Sequence, residues 1–152
     1  MTKFVKKSEV KNNWYEIDAK NAIVGRLATV ISKIIRGKNK TNFTPHMDNV
    51  DFVVVKNIEL IKFTGKKFQN KKYYKHTGYP GGIKETTPEK LFNKKPGEAL
   101  KLAVTRMLPG GPLAKKQLTK LKIYSGSTHP HSSQNPKIID ISKLNSKNLI
   151  RN

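Results

Sequence analysis

The sequence predicts a single α/β domain. Three observations lead there: a bulky strand-like segment at Trp14–Asp18, an amphipathic helix pattern from Gly25 to Arg36, and the run Phe52-Val53-Val54-Val55. That run is β-branched and lacks alternation, as expected of a strand covered on both faces at the centre of a sheet. A length of 152 residues suits one domain with short extensions.

Trp14-Tyr15-Glu16-Ile17-Asp18 alternates in part and is followed by Ala19-Lys20-Asn21, so a short strand and a turn are expected. In the next segment Leu27, Ile31, Ile34 and Ile35 recur at helical spacing, with Arg26, Thr29, Lys33 and Arg36 on the opposite side. Gly37 is a natural C-terminal stop. Ile58 to Phe63 is expected as a second strand, and Gly65-Lys66-Lys67 as a turn. Thr87-Pro88 and Pro96 mark two helix starts. In the second helix Leu100, Ala103, Val104 and Met107 form a stripe that Pro109-Gly110-Gly111-Pro112 ends. A short basic helix with Lys115, Lys116 and Lys120 follows, then a last strand at Lys122-Ile123-Tyr124. Beyond Gly126 the chain reads as polar and irregular, without an internal repeat.

Charge bounds the function. The chain carries 31 Lys+Arg against 10 Asp+Glu, a formal net charge of +21. The first half, residues 1–76, holds 17 basic and 6 acidic side chains, and the second half 14 and 4. The whole body is therefore basic, as for a globule surrounded by a polyanion, whereas duplex-DNA readers concentrate charge on one face. There is no Cys, which excludes disulfides and thiolate chemistry. No run approaches the roughly 18 apolar residues of a membrane-spanning helix, and the charged start lacks an apolar signal core, so a cytosolic protein with no membrane partner is expected.

The segment Lys66 to Lys84 changes the pattern from core to contact. Lys66, Lys67, Lys71, Lys72 and Lys75 surround Phe68, Tyr73, Tyr74 and His76, and Gly78-Tyr79-Pro80-Gly81-Gly82 breaks regular structure. Cations interleaved with rings suit RNA, because rings stack on unpaired bases while ammonium groups meet phosphates. Enzyme chemistry finds no footing. Neither a GxGxxG nor a GxxxxGK[ST] loop is present. His129 and His131 lack further ligands nearby in sequence, so no metal or other cofactor is expected. His46 and His76 stand in no recognisable relation to a nucleophile or paired carboxylate.

The ordered motifs Trp14-Tyr15 with Asp18, Gly25-Arg26-Leu27-Ala28-Thr29, Arg36-Gly37-Lys38, Phe43-Thr44-Pro45-His46 and Asp51 open a series. It continues with Thr64-Gly65-Lys66, Tyr73-Tyr74, His76-Thr77-Gly78, Gly81-Gly82-Ile83-Lys84, Met107-Leu108-Pro109, Gly111-Pro112-Leu113 and Leu121-Lys122-Ile123-Tyr124. In this order the sequence closely resembles the bacterial large-subunit ribosomal protein thirteen family, across about residues 14–141. The resemblance implies a three-layer α/β/α sandwich with a small central mixed or parallel sheet, basic loops and extended termini. It implies a non-catalytic structural constituent of the large ribosomal subunit that binds 23S rRNA, neighbours other large-subunit proteins and supports early assembly. Residues 1–13 are then a basic N-terminal extension, 14–141 the domain, and 142–152 a disordered tail past the family's usual end. Lys also stands at several places where relatives carry Arg, which removes the planar fork for bidentate phosphate contacts.

Three rRNA contact patches are expected. Lys38, Lys40 and His46 form the first, beside Arg26, Lys33 and Arg36 on the outer helix face. Lys66, Lys67, Lys71, Lys72, Lys75, His76, Tyr79 and Lys84 form the second. Arg106, Lys115, Lys116, Lys120, Lys122, His129 and His131 form the third. Such contacts read RNA shape more than sequence. The rival readings are a DNA-compacting protein, a repressor that binds messenger RNA off the ribosome, and a phosphate-handling enzyme, which needs a nucleotide site the sequence lacks.

Overall fold

The computed structural model describes residues 5–150. In chain order its main elements are β1 (Trp14–Asp18), α1 (Val24–Arg36), β2 (Phe52–Lys56), α2 (Lys67–Asn70), β3 (Tyr73–His76) and β4 (Ile83–Thr86). Then come α3 (Pro88–Lys94), α4 (Pro96–Met107), α5 (Pro112–Leu118), β5 (Leu121–Ile123), β6 (Lys137–Ile139) and α6 (Ile141–Leu144). Four strands form one parallel sheet in the order β5-β2-β1-β6, and β3 and β4 form a separate antiparallel ribbon.

The sheet's two faces differ because β1 and β2 run in register, Trp14 beside Phe52 and Ile17 beside Val55. Alternation then sends Ile17, Val53 and Val55 to one side, where Leu27, Ile31, Ile35, Leu100 and Val104 of α1 and α4 pack on them. Full burial of each of these aliphatic side chains contributes about 2 kcal/mol. Gly37 ends α1 in a left-handed conformation, φ 77°, and a Cβ there would lie 2.4 Å from the Asn49 carbonyl oxygen. Only glycine meets both demands.

Trp14, Glu16, Phe52, Val54 and Lys56 occupy the other face. Trp14 stacks on Phe52 at 4.3 Å, and the ring of His131 tilts against Trp14 at 5.0 Å. Residues 125–136, with one 3-10 turn at Ser132–Gln134, lie over this face through these rings and through His129. The result is the expected α/β fold, a parallel sheet between two covering layers.

Other expectations change. Ile58–Phe63 is not a strand: Asn57 takes a left-handed φ of 54°, Ile58–Leu60 form a 3-10 turn, and only a single bridge, Ile23 to Lys62, remains. The segment after 141 is not a loose tail. Ile141 and Asn148 are buried, Leu149 bridges to Ala22, and Ile150 N–H donates to the Asn21 carbonyl. The described part of the N-terminal extension is also held, with Val5 buried and Asn13 N–H donating to Asp51. Residues 1–4 and 151–152 lie outside the described residues.

Candidate nucleic-acid interface

The β3–β4 ribbon is the most prominent cationic feature, and its base is rigid for a local reason. Tyr73 is buried beneath it, with the Lys71 ammonium 5.2 Å and the Arg106 guanidinium 5.6 Å from its ring centroid. Burial pushes its phenol above the usual tyrosine range. Phe68 of α2 meets Phe63 at 5.8 Å and Phe92 of α3 at 5.9 Å, which pins the basic segment to the body.

On this base the ribbon holds its outward side chains in fixed register. Lys75 stands opposite Lys84, and His76 opposite Ile83. Tyr74 and Tyr79 are exposed rings. At the tip Thr77 N–H donates to the Gly82 carbonyl and Gly82 N–H to the Tyr79 carbonyl. A Cβ at Gly82 would lie 2.0 Å from Thr77 Oγ1 and 2.8 Å from that same Tyr79 oxygen, so the tip closes only around glycine. Gly78 N–H donates to His76 Nδ1 at 2.9 Å, which leaves Nε2 of the neutral ring as the protonated nitrogen, a hydrogen-bond donor. Lys72 pairs with Glu85 at 2.7 Å, and that carboxylate raises the lysine's pKa. Among the described residues no carboxylate forms an ion pair with Lys66, Lys67, Lys71, Lys75 or Lys84.

The first patch divides. Arg26, Lys33 and Lys38 are exposed and Arg36 is half-buried; Lys33 and Arg36 also lie at the negative end of the α1 dipole. The Arg26 guanidinium donates to the Lys147 carbonyl, tying α1 to the C-terminal segment. His46 is exposed. Lys40 is turned inward: its Nζ lies 2.8 Å from buried Asp51 and 2.7 Å from the Lys11 carbonyl. It is a structural cation.

The third patch divides in the same way. Arg106 and Lys115 are exposed, and Lys116 lies 3.5 Å from Asp48 with most of its side chain in solvent. Lys120 is buried, 3.0 Å from Asp48 and 5.4 Å from the Phe52 centroid, so it anchors the end of α5. His129 and His131 are likewise half-buried and turned toward the sheet. His129 Nδ1 accepts from His131 N–H, so its Nε2 donates to Glu16 at 3.0 Å, while His131 Nε2 shares a hydrogen bond with the Tyr124 hydroxyl at 2.7 Å. Glu16 also takes Lys56 at 2.6 Å; that bond, with the one to His129, holds its carboxyl below the usual range, and in return Glu16 raises Lys56.

Lys122 borders a groove of about 610 Å³ with Lys94, Lys95 and Lys101, three cations that sequence reasoning left out although Lys94-Lys95-Pro96 is a visible basic run. Among the described residues no three His, Cys, Asp or Glu are grouped to hold a metal, and no helix is long and apolar enough to cross a membrane. The geometry offers fixed cations, exposed rings and backbone donors. It can hold phosphates and stack bases.

Comparison with known proteins points the same way. Residues 12–130 match the family described as Ribosomal protein L13. The large ribosomal subunit protein uL13 of Neorickettsia sennetsu is 50% identical over 148 residues, 97% of each chain. Its counterpart in Agrobacterium fabrum is 48% identical over 151 residues, 98% of each chain, so the stretch after residue 141 has counterparts there. The uL13 protein of Citrifermentans bemidjiense is 54% identical over 140 residues, 92% of this chain and 99% of its own.

Proposed function

The chain belongs to the ribosomal protein L13 family, and from that premise we propose that it is a large-subunit constituent that binds rRNA through the β3–β4 ribbon, the outer face of α1 and the exposed cations of α5. The family is one of structural, non-enzymatic ribosomal components. In this reading the protein works in the cytoplasmic ribosome, supports an early step of subunit assembly, and meets other large-subunit proteins where RNA leaves it uncovered.

The observation that carries the RNA contact is the juxtaposition of Lys75 and Lys84, neither ion-paired among the described residues, on a pinned ribbon. Like charges placed directly opposite destabilise a free hairpin, and a phosphate between them reverses the sign. Lys67, Lys66 and Lys71 extend the same field, while Tyr74, Tyr79 and the His76 Nε2 donor supply stacking and a directed hydrogen bond. No observation favours duplex DNA or messenger RNA over rRNA as the target.

Sedimentation tests the reading. Tagged protein in a lysate, run on a sucrose gradient after a high-salt wash, is expected to co-migrate stoichiometrically with the large subunit and to crosslink to its rRNA. A free or DNA-bound protein would overturn it.

A further inference from the structure

We propose that the outer edge of β6, with the groove beside it, takes an extended basic polypeptide segment of a neighbouring protein in the large subunit. The inference rests on the ribosomal reading above and adds a protein-facing side to a molecule of net charge +21.

Three features meet there. First, β6 is the last strand of the sheet, so its outer edge has no ladder partner among the described residues. Second, its middle residue, Ile138, is 78% exposed, more than any other large apolar side chain among the described residues. It lies on the Glu16 face and borders a groove of about 440 Å³ with Leu149. An open strand edge beside an apolar anchor is the recognition element used when a peptide adds a strand to a sheet.

Third, the groove beside Ile138 carries a small acidic excess in an otherwise basic chain, three carboxylates against Lys20 and Lys56. Three of the ten acidic residues, Glu16, Asp18 and Asp140, line this one groove. Glu16 is matched by Lys56. Asp18 instead accepts from the Lys20 backbone N–H and the Asn57 amide, and Asp140 from the Ser142 N–H and hydroxyl; Lys56 and Lys143 act on them through charge alone, with neither forming an ion pair to Asp18 or Asp140 among the described residues. The Ser142 bonds also hold Asp140 below the usual carboxylate range, which keeps it ionised. Two such carboxylates repel a phosphate backbone and attract Lys or Arg. With only three residues in β6, ladder bonds are few, so a branched apolar side chain against Ile138 and cations beside Asp18 and Asp140 carry the fit.

The test places the photocrosslinker p-benzoylphenylalanine in place of Ile138, an exposed site that tolerates it, in the full chain expressed in cells. Large subunits are purified, irradiated and analysed by mass spectrometry. The expected result is incorporation, with a crosslink to an extended Lys/Arg-rich segment of another ribosomal protein. Asp18→Asn with Asp140→Asn keeps the neutral hydrogen bonds but removes both charges, and should lower the crosslinked yield roughly threefold or more at unchanged incorporation. Incorporation with a crosslink to rRNA, to a second copy or to nothing overturns the inference alone. A chain that never enters large subunits overturns the ribosomal reading, and this inference with it.

Discussion

Lys75 and Lys84 face each other across the β3–β4 ribbon, each without a carboxylate ion-pair partner among the described residues. The arrangement is unfavourable in the free protein and favourable beside phosphate, which separates folding stability from binding at one residue. Lys84→Glu turns a repulsive cross-strand pair into an attractive one. It should raise thermal stability by an amount equivalent to up to about 1 kcal/mol. The same change should weaken rRNA binding and lower the slope of log affinity against log salt by about 1. Calorimetry and filter binding over a salt series give the two readouts, and a variant that is both less stable and equally tight would be inconsistent with the ribbon as a phosphate site.

Lys115 and Lys120 lie five positions apart and do different work. Lys120→Met removes the buried cation from Asp48 and should cost roughly 1–3 kcal/mol in urea unfolding, with the salt slope of binding unchanged. Lys115→Met should leave unfolding unaltered and reduce the slope by about 0.7 to 0.9. A reversed pattern would show that the inward and outward assignments are exchanged.

The Glu16–Lys56 pair makes stability depend on pH in two limbs. Glu16 is held below its usual pKa in the folded protein, so its contribution is present above the ordinary carboxylate range and is lost as pH falls through the folded value. Lys56 is raised, so its contribution is present below the ordinary lysine range and is lost as pH rises through its folded value. Glu16→Gln should cost about 2 kcal/mol at neutral pH and flatten both limbs. Unfolding free energies measured from acid to alkaline pH check it; unchanged limbs would mean that the pair contributes nothing.

The local parts of this fold are legible in the sequence. Trp14–Asp18 and the α1 stripe of Leu27, Ile31, Ile34 and Ile35 emerge from periodicity, and Thr87-Pro88 and Lys95-Pro96 locate two helix starts. What escaped depends on distant partners. β6 is three residues long, largely exposed, and exists through pairing with β1 more than a hundred positions earlier. The β3–β4 ribbon carries lysines where an alternating apolar pattern would announce a strand, and only Tyr73 is buried. The basic segment itself was recognisable as a run of exposed cations and rings. Which lysines turn inward was not, because Asp48 and Asp51 claim Lys120 and Lys40 only once the loop before β2 is folded against α5 and the N-terminal segment.

The central claim is that the pinned basic ribbon holds the protein on large-subunit rRNA. Its most direct test is a competition in cells between the wild-type chain and a variant carrying Lys66→Glu, Lys67→Glu and Lys84→Glu, with the ratio read by mass spectrometry in purified large subunits. Circular dichroism should match between the two, and the variant should be depleted roughly tenfold or more, because at least three phosphate contacts are lost. Equal representation in the subunit, with the fold intact, would contradict the account.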